Sequence, residues 1–467
     1  MKLPTKSKPH KAAPVKRDRA APAAAASTAS AEQAVSAPAS LPAGKTGVRV
    51  RMYRVGFGDF FLLSVPTRDG KRSHILIDCG VHHSDLGSIR EAVTHMAQEC
   101  NNKLALVIMT HRHADHISGF GTCSDLFSTI EVERVWMPWF ENPDNDEAKQ
   151  VQSNLTALAG HLGSGLQARL AAGPDPVAEQ LLSMAANIAG SANAKALQVL
   201  QGGFKTKPVH GYYKAGDSPE LPQQLIDAGL TAQILGPPID KDLVSQMTDK
   251  TQQYLSGMIE EEQDDKKTRP FPPAFSAAYD AYPSSAFEIY DANQIIRKVN
   301  SSQPDMLALQ AVAADKTLNN QSLVILFGFA ERHLLFAGDA QWGNWENFLY
   351  GGRYGAPGHT KMTDAAKGIL DKIDFYKVGH HGSANATPRD AVMAMRMGCV
   401  CMCSTQEPAY NEVPRGPLLA ALRERANNQV ARSDMVAVGN NLPNPLAGPL
   451  PSAFLAPTQK LFIDYNL

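Results

Sequence analysis

The sequence predicts an α/β protein and, within that class, an αββα sandwich with helical insertions. Two observations support this prediction. Residues 72–79 and 104–110 are apolar runs of strand length, and a segment with helical periodicity lies between them. Side chains that bind metals follow directly after the second run. A strand, a helix and a strand with ligands at its carboxyl end form the arrangement that such a sandwich requires.

The elements before the metal motif can be placed in order. Residues 48–65 alternate between apolar and polar positions, which predicts a first strand or hairpin. Ser88 and Glu91 form a capping-box pattern at the start of a helix. The apolar residues of this helix have helical spacing: Ile89, Ala92, Val93 and Met96. Residues 104–110 then predict a buried strand.

A cluster of potential metal ligands follows this strand. Within six positions the chain carries His111, His113, Asp115 and His116. A lone His-x-His pair arises easily by chance, but this longer pattern after a buried strand is a specific signal. Mixed His and Asp ligands suit zinc, manganese or iron rather than calcium.

The second half of the chain predicts further strands that end in polar residues. Residues 322–329 and 333–337 predict a hairpin, and Asp339 follows it after one glycine. Residues 375–378 predict the next buried strand. Thr387, which a proline follows, predicts the N-cap of a helix.

Composition predicts the domain organisation. Residues 1–45 are rich in Ala, Pro, Lys and Ser, which predicts a disordered basic tail. Residues 46–467 are predicted to form one domain with two insertions. The first insertion, residues 142–203, predicts two or three helices broken at glycines such as Gly163. The second, residues 240–317, predicts a loop or lid.

Hydrophobic and cysteine content indicate the compartment. No apolar run reaches the length of about 18 residues that a transmembrane helix needs, so no membrane association is predicted. Six cysteines in 467 residues do not indicate a disulfide scaffold and fit a reducing cytoplasm. Cys399, Cys401 and Cys403 alternate, which is typical of one face of a strand; a thiolate metal site is the alternative.

Charge is distributed unevenly along the chain. Residues 1–45 carry a net charge of +6, so the remaining chain carries −7 within a total of −1. Such an acidic body is a poor match for long nucleic acid, whose binding depends on lysine and arginine contacts to phosphate. This favours a small or short substrate. The basic tail is expected to be solvated, with tethering to an acidic protein partner as the alternative.

The metal motif resembles that of the metallo-β-lactamase superfamily. Residues 75–80, Ile-Leu-Ile-Asp-Cys-Gly, resemble the early strand of that family, which ends in Asp-x-Gly. Residues 335–340, Leu-Phe-Ala-Gly-Asp-Ala, resemble the strand that delivers its bridging aspartate. Residues 376–383, Tyr-Lys-Val-Gly-His-His-Gly-Ser, resemble the strand that delivers its last histidine. The order of these motifs is that of the family.

Within the superfamily the chain is most similar to the hydrolase domain of ComEC-type DNA-uptake proteins and its soluble relatives. Residues 55–59, Val-Gly-Phe-Gly-Asp, are similar to the Val-Gly-Gln-Gly-Asp of that group. Residues 320–324 resemble its Asn-x-Ser-Leu-Val, and residues 377–383 match its Lys-Val-x-His-His-Gly-Ser. The resemblance runs from about residue 48 to the C-terminus, with residues 410–414 at the place of a further family motif.

The resemblance implies a centre with two divalent metal ions, zinc first and manganese as the alternative. It assigns His111 and His113 to the first ion, and Asp115, His116 and one of His380 and His381 to the second. Asp339 would bridge the two ions. We take His380 as the ligand and His381 as the residue that donates a proton or a hydrogen bond. The expected catalytic residues are thus Asp115, His381 and Asp339, and the expected metal ligands are His111, His113, Asp115, His116, Asp339 and His380.

Further residues complete the expected site. Asp78 is expected to support the ligands through a hydrogen bond, with a plain turn aspartate as the alternative. Many family members supply another histidine where this chain has Asn319 or Asn320, so a single ion or a preference for manganese is the alternative to two zinc ions. Ser383, Asn385 and Asn320 are expected to contact the substrate.

The function expected from the resemblance is hydrolysis of phosphodiester bonds by an activated water, as in a nuclease or a small phosphodiesterase. The substrate would be a small or short phosphodiester, with single-stranded nucleic acid included. Hydrolysis of a lactone, thioester or β-lactam at the same centre is the enzymatic alternative. A scaffold or defence component that binds a protein partner through the insertions, with a structural metal site, is the alternative without catalysis.

Overall fold

Two mixed β-sheets form the centre of the structure. The computed structural model describes residues 47–82, 86–175, 178–179, 181–182, 191–246, 249, 251–254, 317–407, 413–435, 450–455 and 460–467. The predicted tail 1–45 and nearly all of residues 247–316 of the second insertion lie outside this part of the chain, as do residues 410–412 of the late family motif.

The first sheet has seven strands within the described residues. They are β1 Arg49–Tyr53, β2 Phe60–Pro66, β3 Arg72–Cys79, β4 Lys103–Ile108, β5 Glu131–Pro138, β6 Val209–Tyr213 and β13 Phe462–Asn466. Their spatial order is β13-β1-β2-β3-β4-β5-β6. The pairs from β13 to β3 are antiparallel, and those from β3 to β6 are parallel.

The second sheet has six strands within the described residues. They are β7 Thr231–Gly236, β8 Val324–Phe329, β9 Arg332–Phe336, β10 Ile373–Lys377, β11 Val400–Cys403 and β12 Val430–Arg432. Their spatial order is β12-β11-β10-β9-β8-β7. The hairpin of β8 and β9 confirms the prediction for residues 322–337, and the pairs from β9 to β12 are parallel.

Helices pack around both sheets and against one another. In chain order they are α1 Ile89–Glu99, α2 Ala114–Thr122, α3 Ser124–Phe127, α4 Asp146–Ala172, α5 Ser191–Gly202, α6 Gln223–Asp227, α7 Lys241–Val244, α8 Trp342–Tyr350, α9 Asp364–Leu370, α10 Arg389–Ala394 and α11 Gly416–Arg425. None of the helices in the described part of the chain has the length and apolar character needed to cross a bilayer.

Strand β2 shows why the sequence has continuous apolar runs. All seven of its residues are buried. Phe61 and Leu63 pack into the core between the sheets, whereas Phe60 and Leu62 pack under the outer helices. Successive side chains on a strand point to opposite faces, so a strand covered on both faces is apolar throughout. The architecture is therefore an α/β sandwich, as predicted; its assignment to the metallo-β-lactamase type remains a prediction.

Two local predictions about helices are wrong. Gly163 does not break the first insertion, because α4 runs without interruption from Asp146 to Ala172. Burial of Leu155, Leu162 and other residues of its apolar face outweighs the cost of about 1 kcal/mol for a helical glycine. The N-cap of α10 is Pro388, and the hydroxyl of Thr387 instead lies 2.7 Å from that of Tyr376.

Other local predictions are confirmed. The Oγ atom of Ser88 caps α1 by accepting a hydrogen bond from the backbone N of Glu91 at 3.4 Å. The alternating cysteines belong to a buried strand environment, since Cys401 and Cys403 lie on β11 and pack with Cys399 in one apolar cluster. No group of potential metal ligands within the described residues includes a cysteine.

Candidate metal centre

The predicted ligands lie at the carboxyl ends of parallel strands from both sheets. In the first sheet Asp78 lies near the end of β3, and the His-x-His-x-Asp-His motif follows β4. In the second sheet Asp339 follows β9, and His380 and His381 follow β10. Each sheet thus contributes an aspartate from one strand and histidines from the next, and the two sets meet between the sheets.

Four of these side chains form what we call the acidic cluster: Asp115, His116, Asp339 and His381. One ligand atom from each lies within 4.8 Å of the others, and all four residues are buried. The Nε2 atom of His381 lies 3.0 Å from Oδ2 of Asp115 and 3.5 Å from Oδ2 of Asp339, which lies 3.2 Å from Nε2 of His116. Bonds of about 2.0–2.1 Å to a tetrahedral zinc ion place two ligand atoms roughly 3.4 Å apart, so the donor set fits such an ion.

Both imidazoles of the acidic cluster are oriented from outside it. The Nδ1 atom of His116 lies 2.7 Å from Oδ2 of Asp78, and Nδ1 of His381 donates to the carbonyl oxygen of Ser404 at 2.8 Å. Asp78 is itself fixed by the backbone N and Oγ1 of Thr110, at 2.8 and 2.7 Å. A ring whose Nδ1 is held in this way presents Nε2 to the centre, which is the usual arrangement of metal-binding histidines.

Asp59 and Lys377 also belong to the centre, and the sequence analysis did not assign them there. The Nζ atom of Lys377 contacts Oδ2 of Asp59, donates to the carbonyl oxygen of Gly338 at 2.9 Å and lies 3.5 Å from Oδ1 of Asp339. Oδ1 of Asp59 accepts a hydrogen bond from the hydroxyl of Ser404. The Val-Gly-Phe-Gly-Asp and Lys-Val motifs contain both residues and were the available signal.

The electrostatic balance of the centre favours bound cations. Four buried carboxylates, those of Asp59, Asp78, Asp115 and Asp339, surround one lysine. Burial lowers the pKa of both cluster histidines, but the carboxylates outweigh this effect. They raise the pKa of His116 well above its ordinary value and that of His381 to about 10. Uncompensated charge is costly in a buried position, so imidazolium ions or bound metal ions are favoured beside these carboxylates.

His111 and His113 form the imidazole pair beside the acidic cluster. The Nε2 atom of His111 lies 3.0 Å from Nδ1 of His113, and the ring of His111 lies 4.2 Å from that of His116. Burial and the two neighbouring histidines hold the pKa of His111 well below its ordinary value. A neutral imidazole is the form that binds a metal ion.

His380 lies outside the acidic cluster, and His381 takes the place that we predicted for it. The hydroxyl of Ser383 donates to Oδ1 of Asn385 at 2.8 Å and lies 2.7 Å from Nδ1 of His380. The Nδ1 atom of His380 also lies 3.1 Å from Oδ1 of Asn385, and the tautomer with its proton on Nδ1 can donate to these oxygens. The Nε2 atom of His380 then keeps a lone pair, and the amide nitrogen of Asn319 lies 3.4 Å from it. His381, not His380, therefore lies among the potential ligands, and the roles of the two histidines remain predictions.

We expected Asn320 to contact the substrate, but its side chain is bound to the backbone instead. Its Nδ2 donates to the carbonyl oxygens of Val244 and Gln246 at 3.1 and 2.6 Å, and its Oδ1 accepts from the backbone N of Gln341 at 3.1 Å. This fully buried amide holds three segments together and has no capacity left for a substrate. Asn319, not Asn320, faces the centre.

Backbone conformation supports a functional assignment of this region. Asp78, His380 and His381 have φ values of +54°, +44° and +51°. Few residues other than glycine adopt this left-handed conformation, although asparagine, aspartate and histidine do so more often than the rest, and strained residues cluster at functional sites. Gly80 allows close packing beside Asp78, because a Cβ atom there would lie 2.3 Å from the backbone N of His116.

Comparisons with known proteins add no name to this centre. No family model matches the chain, and no curated protein matches it. The resemblance to the metallo-β-lactamase superfamily therefore remains a prediction from the motifs quoted above.

Proposed function

We propose that this protein is a metal-dependent hydrolase of phosphodiester bonds, acting as a nuclease or as a phosphodiesterase on small substrates. One observation carries the proposal. Both imidazoles of the acidic cluster have their Nδ1 atom engaged from outside and direct Nε2 at shared carboxylate oxygens. In a structural ion pair each charged group has one partner of opposite charge. Four ligand atoms that lie within 4.8 Å of one another instead fit a single bound cation.

We propose that the centre binds two divalent ions. The acidic cluster would hold one, and the imidazole pair with Asp339 would hold the other. When bound, such ions lower the pKa of a water molecule and stabilise negative charge on a phosphoryl oxygen. Zinc suits the mixed set of imidazoles and carboxylates, and manganese remains the alternative.

Asp339 is positioned to serve both ions with one oxygen atom. Its Oδ1 accepts a hydrogen bond from the backbone N of His380 at 3.1 Å and lies 3.5 Å from Nζ of Lys377. Its Oδ2 faces the two cluster imidazoles. Protein donors therefore hold one oxygen, and the other is directed at the centre.

His380 is the group that we assign to proton transfer, in place of His381. The Ser383 hydroxyl and Asn385 hold it with Nε2 as an acceptor, and burial lowers its pKa to about 4. A neutral imidazole with a fixed tautomer can take a proton from a water or pass one to a leaving group. Ser383 and Asn385 then act by orienting His380 rather than by binding substrate.

The phosphodiester class is supported by the resemblance to ComEC-type hydrolase domains, and this step is an analogy between sites. The net charge of −7 outside the tail favours a short or small substrate. We expect no membrane partner. A protein partner that binds through the insertions or the basic tail is compatible with the same site.

A substrate panel tests this function. Metal-loaded protein should hydrolyse bis-nitrophenyl phosphate or short single-stranded DNA, and Asp339→Asn, which keeps the shape of the side chain, should not. Turnover of nitrocefin or a lactone without phosphodiester cleavage would replace the proposal by an acyl hydrolase. Bound metal without turnover of any of these substrates would favour a scaffold.

A further inference from the structure

Arg112 lies between the two histidines of the imidazole pair and is held by an ion pair. Its Nε donates to Oε1 of Glu141 at 2.9 Å, and its Nη2 contacts the other carboxylate oxygen. The side chain of Glu141 is 3% exposed and that of Arg112 is 11% exposed. A two-point contact of this kind fixes the orientation of the guanidinium group as well as its distance from the carboxylate.

Two helices of the first predicted insertion, α4 and α5, extend this contact. On α4, Nε2 of Gln152 donates to the same Oε1 atom of Glu141 at 3.0 Å. On α5, Nδ2 of Asn193 donates to the carbonyl oxygen of Arg112 at 3.0 Å. The side chain and the backbone of Arg112 are therefore held from two directions by residues that lie between β5 and β6.

We infer that α4 and α5 set the geometry of the imidazole pair, with Glu141 and Asn193 as positioning residues that act through Arg112. The inference rests on the proposed two-metal function. Rotation of the backbone at Arg112 would move the flanking histidines relative to each other. The affinity of the imidazole pair for a cation would therefore depend on the spacing that Arg112 sets, whereas the acidic cluster does not include Arg112.

An ordinary structural ion pair is the competing explanation. It would contribute to stability and leave metal binding unchanged. The two explanations differ in what they predict for the affinity of the ion at the imidazole pair. Positioning predicts weaker binding at the imidazole pair with the acidic cluster intact, whereas a structural role predicts a lower melting temperature with both ions bound as before.

The test is titration of the full-length protein with cobalt(II), followed by absorption spectroscopy and elemental analysis. Glu141→Gln should bind one equivalent as the wild type does and bind the second about 10–100-fold more weakly, the usual effect of losing an outer partner of a ligand. Asn193→Ala, which removes one hydrogen bond and keeps the ion pair, should weaken the same equivalent less. Glu220→Gln is the matched control, since Glu220 pairs with Arg134 at 2.9 Å on the surface.

Two outcomes separate this inference from the proposed function. Two equivalents bound with unchanged affinity by both Glu141→Gln and Asn193→Ala would contradict the positioning role and leave the proposed function intact. A wild type that binds no cobalt would contradict both. If Glu141→Gln does not fold, the metal titration of Asn193→Ala tests the inference instead. Weaker binding of one cobalt equivalent at an unchanged melting temperature would support the positioning role.

Discussion

Two clusters of charge, one buried and one partly exposed, lie toward opposite ends of strand β3, and they are built differently. Near its carboxyl end lies the acidic cluster, in which carboxylates face imidazoles. Toward its amino end lies what we call the arginine network, made by Arg49, Arg51, Glu99 and Asp464. Nε and Nη2 of Arg51 each donate to a separate oxygen of Asp464 at 2.7 Å.

The difference lies in whether the charges are already compensated. In the arginine network each carboxylate faces a guanidinium that stays protonated at any ordinary pH, and Arg51 also lies 3.4 Å from the centroid of the Phe462 ring. This network ties β13 to β1 and α1. In the acidic cluster the compensating groups are histidines, which can lose their protons to a metal ion. The arginine network therefore stabilises the fold, whereas the acidic cluster can accept a cation.

The largest expected effect comes from breaking the acidic cluster. Asp339→Ala should reduce kcat/KM by about three orders of magnitude or more, because both ions depend on this carboxylate. The fold should persist, since the apolar core between the sheets is untouched. Steady-state kinetics and a thermal melt check this together. Activity above about a tenth of wild type would show that the centre is assigned wrongly.

Asn320→Ala is the informative companion to that variant. Its amide joins three backbone segments, so we expect a loss of about 1–3 kcal/mol in the free energy of unfolding from buried groups left without partners. Metal content of the folded fraction should stay at the wild-type level.

Breaking the arginine network should give the opposite pattern. Asp464→Ala leaves a buried guanidinium without its main partner, which typically lowers the free energy of unfolding by about 3–5 kcal/mol. Denaturant unfolding measures this loss, and metal titration of the same protein should be unchanged. A variant that lost metal at full stability would show that the two clusters are not separate in function.

A pair of neighbouring variants sharpens the assignment within the centre. His381→Gln should weaken metal binding by about 10–100-fold, because Nε2 of His381 lies in the acidic cluster. His380→Gln should retain both ions and lower kcat, with loss of the acidic limb of the pH profile. The reverse result would restore the roles expected from the sequence.

The smallest expected effect is a pH dependence at the amino end of β3. Burial lowers the pKa of His74 to about 4, from about 6.5 in the unfolded chain. The unfolded state therefore binds more protons in this interval, and stability is full above pH 6.5 and falls as the pH drops toward 4. At pH 5 the loss should be about 2 kcal/mol. Urea unfolding of wild type and His74→Gln at pH 5 and 8 should show a smaller decline in the variant.

The comparison also shows what the sequence can predict. Asp78, His116 and Asp339 lie at or soon after the carboxyl ends of apolar strands, so strand order predicts that they meet. Asp59 and Lys377 stand in quoted motifs, but nothing in those motifs predicts that the two side chains pair with each other. His380 and His381 are adjacent, so their positions in the sequence do not decide which ring enters the cluster. The same holds for Asn319 and Asn320.

Gly163 shows a different limit. Local propensity favours a helix break there, but an apolar face that extends to Leu166 keeps α4 continuous. The packing partners of that face lie elsewhere in the chain, among them Leu318 and Val244. Tertiary burial therefore decided what local sequence could not.

The most direct test of the central claim is the location of bound metal. Crystals grown from protein loaded with zinc or manganese should show anomalous scattering at two positions. One should lie between Asp115, His116, Asp339 and His381, and the other beside His111, His113 and Asp339. Elemental analysis of the same protein should give close to two equivalents. No anomalous peak at the acidic cluster, with less than about 0.2 equivalents of any transition metal in the loaded protein, would contradict the account.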